Sequence, residues 1–437
     1  MKSEGLDGIE KFDSPGKGRG IRVTKPFKVG ELLFACPAFA YVLSVSERGY
    51  LCDFCFAKKE GLAKCGKCKK AFYCNAGCQK ADWKLHKLEC SSMCAYGDNW
   101  CPSETVRLVA RILVSMKSNK DGERGASEKL LLMSDLEAHL DEMDNERREV
   151  NEMDISALHH FYSKHLDFPD HSQLLRIFSQ VNCNGFTIED EQLSHLGSAV
   201  YPDVALMNHS CCPNVIVTYK GPLAEIRAVQ DMKPGDEILT SYIDLLYPTD
   251  DRNERLRDAY FFTCNCKECS SRAKQDEQKL RLRKLSEAPP PEQVRDTLRY
   301  ARNIMQEFRK AKHQSDPSEL LQMCEMSLER MGAVFDDSNV YMLHMMYQAM
   351  GVCIYQGDWE QAARYGEKII SPFSTLYPAY SLNVASMCIK LGRLYVGLDK
   401  LSLGIKYFKK AQSIMEVAMG KDHHSIGELK REMQQQK

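Results

Sequence analysis

MNHSCCPNV, residues 207–215, sets Asn208, His209 and Ser210 directly before two adjacent cysteines, Cys211 and Cys212. Neighbouring cysteines seldom pair with each other: a disulfide wants Cα atoms about 5.5–6 Å apart, and consecutive Cα atoms sit about 3.8 Å apart. One of the two thiols is therefore expected to have a partner elsewhere among the 19 cysteines of this 437-residue chain. The first residues, MKSEGLDGIEKF, contain no secretory apolar run, and no stretch approaches the ~18 apolar residues of a membrane helix. The expectation is an intracellular protein with no membrane partner, whose cysteines are metal ligands or reduced thiols. Apolar content of 43% and charged content of 27% fit a soluble globular chain of two or three domains. A net charge of −1 argues against a general polyanion binder.

Outward from the motif, VIVTY and LAEIRAV alternate as strands about a Lys220-Gly221 turn, and MKPGDEILTSY reads as a turn and a further strand. The N-terminal SPGKGRGIRVTKPFKVGELLFACP has the same texture of short strands and glycine turns. These pieces predict an all-β core interrupted along the sequence.

The interruption is CDFCFAKKEGLAKCGKCKKAFYCNAGCQKADWKLHKLEC, residues 52–90. Cys52, Cys55, Cys65, Cys68, Cys74, Cys78, His86 and Cys90 make four close pairs of soft ligands, enough for two tetrahedral zinc sites. Interleaved pairing is expected, with Cys52, Cys55, Cys74 and Cys78 on one ion and Cys65, Cys68, His86 and Cys90 on the other. The C-x3-C and H-x3-C pairs are predicted to lie on helical turns. All positions are filled, so both sites are structural. Nine lysines against Asp53, Glu60, Asp82 and Glu89 give +5; seven thiolates around two Zn²⁺ add −3, leaving about +2. That favours a peptide or protein partner over a dedicated phosphate binder, with direct DNA binding weak or absent. A second cluster, Cys264, Cys266 and Cys269 in TCNCKEC, is one ligand short of a tetrahedron. MNHSCCPNV offers two thiols to complete it.

The finger resembles the MYND zinc finger, including Phe72-Tyr73-Cys74 and Trp83-x-x-His86. NHS-C-x-PN, GDEILTSY, YFFTCNCKEC and the upstream GKGRG resemble the SET lysine methyltransferase domain. A SET domain interrupted by a MYND finger is similar to the SET and MYND domain-containing lysine methyltransferases, over essentially the whole chain. The resemblance implies methyl transfer from S-adenosylmethionine to lysines of histone and non-histone proteins, with three zinc ions. It makes Cys211, not Cys212, the fourth ligand of the third ion. It implies that Tyr242 orients the incoming amine beside the methyl group, and that Phe186, Tyr242 and Tyr260 line the lysine channel. Lys17, Gly18 and Arg19 would approach the cofactor's carboxylate, Asn208 and His209 would bond the cofactor through main and side chain, and Phe262 would stack on its adenine. Tyr260 and Phe261 would border the same ligand. Glu137 and His139, placed in a helical stretch DLEAHLDEM, are further candidates, with a solvated helix face as the alternative. GKGRG is no Walker loop, since the GK[ST] ending is missing.

Residues 270–291 turn charged and proline-rich, as a linker with a short helix. Beyond them AMGVCIYQGDWEQAARYGEKI and KLGRLYVGLDKLSLGIKYFKKAQ align with Gly351 on Gly392 and Ala363 on Gly404. The second matches the tetratricopeptide pattern at Leu391, Gly392, Tyr395, Phe408 and Ala411. The predicted class is α+β: a split SET core, 1–48 and 182–246, with the finger at 49–92, a helical insert at 93–181, a zinc-bound post-SET segment at 247–270 and an all-α TPR-like domain at 271–437. The expected protein is a monomer in cytoplasm and nucleus that acts on chromatin and transcription. The alternative is a MYND-based adaptor or corepressor with an inactive SET core.

Overall fold

The computed structural model describes residues 6–120, 130–284, 288–312 and 314–435, with the side chains of 118–120 and 272–275 left out. Parts of the predicted insert (121–129) and linker (285–287) lie outside the described residues. The chain divides into two compact units, one of Met1–Asn208, Asn214–Leu239 and Ala259–Phe261, the other of His209–Pro213, Thr240–Asp258 and Phe262–Lys437.

The first unit is built on short antiparallel strands. β1 (Ile9–Ser14) and β2 (Gly18–Val23) form a hairpin in register from Ile9–Val23 to Ser14–Gly18. Its turn needs glycine, because Gly16 within it has φ +73°. β3 (Leu32–Pro37) and β4 (Ala40–Leu43) follow, then the two-residue strands β5 (Ala63–Lys64) and β6 (Phe72–Tyr73) of the finger. Helices α1 (Ala76–Tyr96), α2 (Glu104–Lys120), α3 (Asn145–Tyr162) and α4 (His171–Asn184) come next. β7 (Gly185–Glu189), β8 (His195–Val200), β9 (Asn208–His209), β10 (Val215–Lys220), β11 (Leu223–Ala228) and β12 (Leu239–Thr240) complete the strands. Two three-stranded sheets, β10-β11-β3 and β4-β8-β7, carry the core. Alternating strand residues such as Ile21, Val23, Val42 and Ile226 are buried with Val109 and Ile112 of α2, Leu158 of α3 and Phe178 of α4. In α4 the apolar row Leu174, Leu175, Phe178, Val181 recurs at helical spacing and is buried.

One stretch departs from expectation. DLEAHLDEM is not a helix: Glu137, Ala138 and His139 run between 3₁₀ turns at Met133–Asp135 and Leu140–Glu142. Its apolar residues alternate, burying Leu136 and Ala138 while Glu137 between them is exposed, and that period of two suits extended chain.

A buried ionic cluster joins finger and core. Arg107 and Arg111, one turn apart on α2, meet Glu89 of α1 at 2.8 and 3.1 Å, and Arg111 also meets Asp82 at 3.2 Å. Tyr162 donates to Glu89 at 3.1 Å, Tyr73 to Asp82 at 2.8 Å, and Arg107 to the Leu43 carbonyl at 2.7 Å. Burial alone would raise the Glu89 pKa, but the two guanidiniums outweigh it and hold the carboxyl below its ordinary range.

The second unit is helical: α5 (Thr249–Tyr260, whose last two residues belong to the first unit), α6 (Lys267–Ser270), α7 (Arg272–Lys279), α8 (Pro291–Ala311), α9 (Pro317–Gly332), α10 (Val340–Gln356), α11 (Trp359–Leu376), α12 (Leu382–Gly397), α13 (Leu401–Ala418) and α14 (His424–Gln434). From α8 to α14 consecutive helices pack on one another. At Gly392 an added Cβ would come within 2.4 Å of the Phe408 ring, so the absent side chain is what lets α13 approach α12. The aligned Gly351 does not repeat this, because nothing lies within 4 Å of a Cβ built there.

Replacing Glu89 by Leu takes the carboxylate from the buried Arg107, which keeps only the neutral Leu43 carbonyl among its bonds named above, and leaves Arg111 only Asp82. Unfolding in urea is expected to show a loss of about 3–5 kcal/mol, and the double change with Arg107→Met a smaller one, since no orphaned guanidinium then remains at that position.

Candidate active site and zinc centres

Within the first unit, the finger brings its eight ligands together in the two interleaved sets. Donor atoms of Cys52, Cys55, Cys74 and Cys78 lie within 4.8 Å of one another, as do those of Cys65, Cys68, His86 and Cys90. A tetrahedral zinc with Zn–S of about 2.3 Å and Zn–N of about 2.05 Å requires S···S edges near 3.8 Å and S···N edges near 3.6 Å. The observed edges are 3.7 Å for Cys55–Cys74, 3.9 Å for Cys65–Cys90 and 3.5 Å from Cys68 Sγ to His86 Nε2. The residues fit zinc. Without a cation, burial and the neighbouring Cys68 and Cys65 push the Cys90 thiol up to about 12; a dication reverses that. Burial draws the His86 pKa down, which keeps the ring a neutral ligand.

One helix, α1, supplies Cys78, His86 and Cys90. Cys74 is not on it. Asn75 caps the helix by accepting from the Cys78 amide at 3.1 Å, so the C-x3-C pair straddles the helix start.

Charge is sorted more sharply than the formal count of the finger implied. Of its four acids, Asp53, Asp82 and Glu89 are buried and meet Arg48, Arg111 and Arg107, all outside residues 52–90; Glu60 alone is exposed. Eight of the nine lysines are exposed. Lys80, Lys84 and Lys87 share one face of α1, and Lys67 reaches the same row through Ser91 at 3.1 Å. Trp83, 45% exposed, stands among them.

Also in the first unit, Lys17 pairs with Glu237 at 2.9 Å and Arg19 with Glu137 at 2.7 Å. Asn208 donates to the Arg19 carbonyl at 3.0 Å and to Glu237 at 2.8 Å. At Gly20 an added Cβ would come within 3.0 Å of both Asn208 Nδ2 and Glu237 Oε1, whereas at Gly18 it would meet nothing within 4 Å. The backbone at Gly18 is therefore open to a ligand. Asn184 donates to the Glu137 carbonyl at 2.8 Å. His139 and Phe261 both adopt left-handed φ, +48° and +61°, and stack with ring centroids 4.8 Å apart. The Arg147 guanidinium lies over the Phe261 ring, 5.0 Å from its centroid. Two strained residues held against each other mark a built feature. Cations, carboxylates and an aromatic face match the carboxylate, ammonium and purine of S-adenosylmethionine. Phe186, on β7, packs edge-on to Tyr201 at 5.5 Å, and burial raises the pKa of Tyr260 and keeps its phenol neutral.

In the second unit Cys211, Cys264, Cys266 and Cys269 come within 4.8 Å, with Cys211 and Cys269 sulfurs 3.6 Å apart. Cys211 is buried and Cys212 exposed. Arg252, 1% exposed, donates to Cys211 Sγ at 3.2 Å and to Cys269 Sγ at 3.6 Å. His209, Tyr242 and Phe262 form one aromatic group, His209 to Tyr242 at 5.3 Å, His209 to Phe262 at 6.0 Å and Tyr242 to Phe262 at 6.3 Å. Of the two adjacent phenylalanines, Phe261 is the partner of His139 and Phe262 the neighbour of Tyr242.

Sequence reasoning missed Glu237, Asn184 and Arg252 as site residues. Glu237 stood in the quoted GDE motif, but its partners Lys17 and Asn208 are distant in sequence, so no local spacing announces it. Among the described residues, no helix is long and apolar enough to cross a membrane.

Residues 52–90 match the MYND finger family model. The chain is 65% identical to "N-lysine methyltransferase SMYD2" of Homo sapiens over 434 residues, 99% of this chain and 100% of that one. It is 64% identical to "N-lysine methyltransferase SMYD2-A" of Danio rerio, across 100% of both chains. A Xenopus laevis relative, "N-lysine methyltransferase SMYD2-B", is 65% identical over 98% of this chain and 99% of its own.

Metal analysis of the purified protein should find three zinc ions per chain. Cys211→Ser is expected to hold two and Cys212→Ser three; the reverse result would exchange their roles.

Proposed function

The chain belongs to the family of SET and MYND domain-containing N-lysine methyltransferases, and we propose that it methylates lysine ε-amines of histone and non-histone proteins with S-adenosylmethionine as donor. The observation that carries the reading is the packing of His209, Tyr242 and Phe262 beside a complete four-thiolate set. An adaptor with a decayed core would have no use for that arrangement.

The chemical task is to present a neutral amine in line with an electrophilic methyl group. A free lysine of pKa about 10.4 is neutral in roughly one molecule in 2,500 at pH 7, a gap of about 4.6 kcal/mol. Apolar and aromatic walls favour the neutral form by desolvation, the role proposed for Phe186 and Tyr260. Tyr242 is assigned to receive and orient the amine through its hydroxyl. Lys17, Gly18, Arg19, Glu137, His139, Asn208, Tyr260, Phe261 and Phe262 are assigned to the cofactor, His209 through its main chain. When bound, the cofactor supplies a sulfonium-activated methyl group. The remaining contribution of the protein is alignment.

We assign residues 1–48 and 182–246 to the SET core, 49–92 to the finger, 93–181 to the insert, 247–270 to the post-SET segment and 271–437 to a TPR-like domain. The protein is proposed to act as a monomer in cytoplasm and nucleus. The lysine face of α1 suits an acidic protein segment as the partner of the finger. Fluorescence anisotropy with labelled polyglutamate should show binding that Lys80→Glu/Lys84→Glu/Lys87→Glu abolishes; tighter binding of duplex DNA of equal charge would reject that assignment.

The activity test uses methyl-tritiated S-adenosylmethionine, core histones and a hypomethylated cell extract. Label is expected on lysine, and Tyr242→Phe should lower it by at least about 10²-fold. A folded, zinc-loaded protein that labels nothing would reject the reading in favour of the adaptor.

A further inference from the structure

We propose that the His209 imidazole is a positioning strut that joins the third zinc centre to Tyr242, so that the metal sets where the amine-orienting tyrosine stands. The proposal rests on the methyltransferase reading for the role of Tyr242, but its geometry does not. The sequence expectation put the His209 side chain on the cofactor. Instead, the two ring nitrogens meet groups of the second unit itself. The backbone N–H of Tyr242 donates to Nδ1 at 3.0 Å. A nitrogen that accepts an N–H has its lone pair free, so in the neutral ring the proton is on Nε2. Nε2 lies 3.4 Å from the Sγ of Cys211 and therefore donates to that zinc-ligand sulfur.

Three further observations support a mechanical role. His209 is buried, 4% exposed. Its ring also packs against those of Tyr242 and Phe262, so both backbone and side chain of Tyr242 are braced by one residue. The residue next in the chain, Ser210, donates its amide to the Thr240 carbonyl at 2.9 Å, tying the 209–211 segment to the strand that leads into Tyr242. Chemically, four thiolates around one Zn²⁺ leave a charge of −2. Arg252 and the His209 N–H both donate to Cys211, at 3.2 and 3.4 Å, closer than Arg252 and Asn253 approach Cys269, at 3.6 and 3.9 Å. Donors to metal-bound ligands hold the ligand in place and tune the metal. Here the same ring passes that fixity on to Tyr242.

Two isosteric replacements separate the two bonds. Asn at 209 places an oxygen near the position of Nδ1 and can still accept from the Tyr242 amide, but cannot reach Cys211. Gln places an N–H near the position of Nε2 and can still donate to Cys211, but leaves the Tyr242 amide without its acceptor. On the full chain, two quantities are read: zinc release to the chelator 4-(2-pyridylazo)resorcinol, with the third centre identified as the phase missing in Cys211→Ser, and kcat and KM with labelled S-adenosylmethionine. The expected pattern is crossed. His209→Asn releases zinc from the third centre about 10–100-fold faster than the parent. His209→Gln releases it at the parent rate but loses more kcat than His209→Asn, at least about 10-fold, with a smaller change in KM. Unchanged zinc release in His209→Asn overturns the link to the metal. A smaller kcat loss in His209→Gln than in His209→Asn overturns the link to Tyr242, and equal damage in both variants on both readouts reduces the ring to packing and overturns the strut. If the parent protein transfers no label, the methyltransferase reading fails while the zinc-release comparison still decides the contact with Cys211.

Discussion

Four sulfurs held within 4.8 Å of each other repel when ionised, and thiols crowded together resist ionising at all. Only a bound dication makes Cys211, Cys264, Cys266 and Cys269 tolerable neighbours, and that condition fixes the segment 209–213 against 264–269. Everything proposed for Tyr242 depends on it. A ring with one nitrogen on the Tyr242 amide and the other on a metal-bound sulfur has little freedom to turn. Arg252, anchored by the Tyr247 carbonyl at 2.7 Å and Thr249 at 3.3 Å, carries the same constraint into the start of α5.

The finger solves a related problem with a different result. Its negative charges are taken inward: thiolates to zinc, and Asp53, Asp82 and Glu89 to arginines contributed from outside the finger. The arginines dock the finger onto strand and helix, with Arg107 reaching the Leu43 carbonyl and Tyr162 completing Glu89. What remains outside is lysine. A domain with a formal balance of only about +2 thereby presents a surface dominated by lysine, with Glu60 its one exposed acid, because its other acids are taken up by structure.

The zinc ligands were legible because metal spacing is a local code. C-x2-C, H-x3-C and C-x-C-x2-C specify short-range geometry, and the structure repeats it in all three groups. Residues 207–215 were less transparent: spacing alone could not choose between Cys211 and Cys212, and burial does. Periodicity served the long helices and failed at DLEAHLDEM, where Leu136, Ala138 and Leu140 alternate and the chain is extended around Glu137. The aligned glycines Gly351 and Gly392 looked equivalent, yet only Gly392 faces an aromatic ring at closing distance. Glu237 and Arg252 were invisible because their partners are set by the fold: Lys17 lies 220 residues from Glu237, and Cys211 lies 41 from Arg252.

Why should a metal, and not a core, hold the region around Tyr242? Between Phe262 and Ser270 the chain reads FTCNCKECS, and after Phe262 it offers no aliphatic or aromatic side chain to bury. Such a segment cannot build a hydrophobic core, since too little apolar surface leaves water to offset the entropy of ordering it. A tetrahedral metal needs only four sulfurs and imposes angles as well as distances. It also leaves Phe262 free to present its ring to His209 and Tyr242 and not to a core. Methyl transfer by alignment asks for a tyrosine placed to within a fraction of an ångström, and a metal-anchored histidine gives that placement at a site where packing cannot.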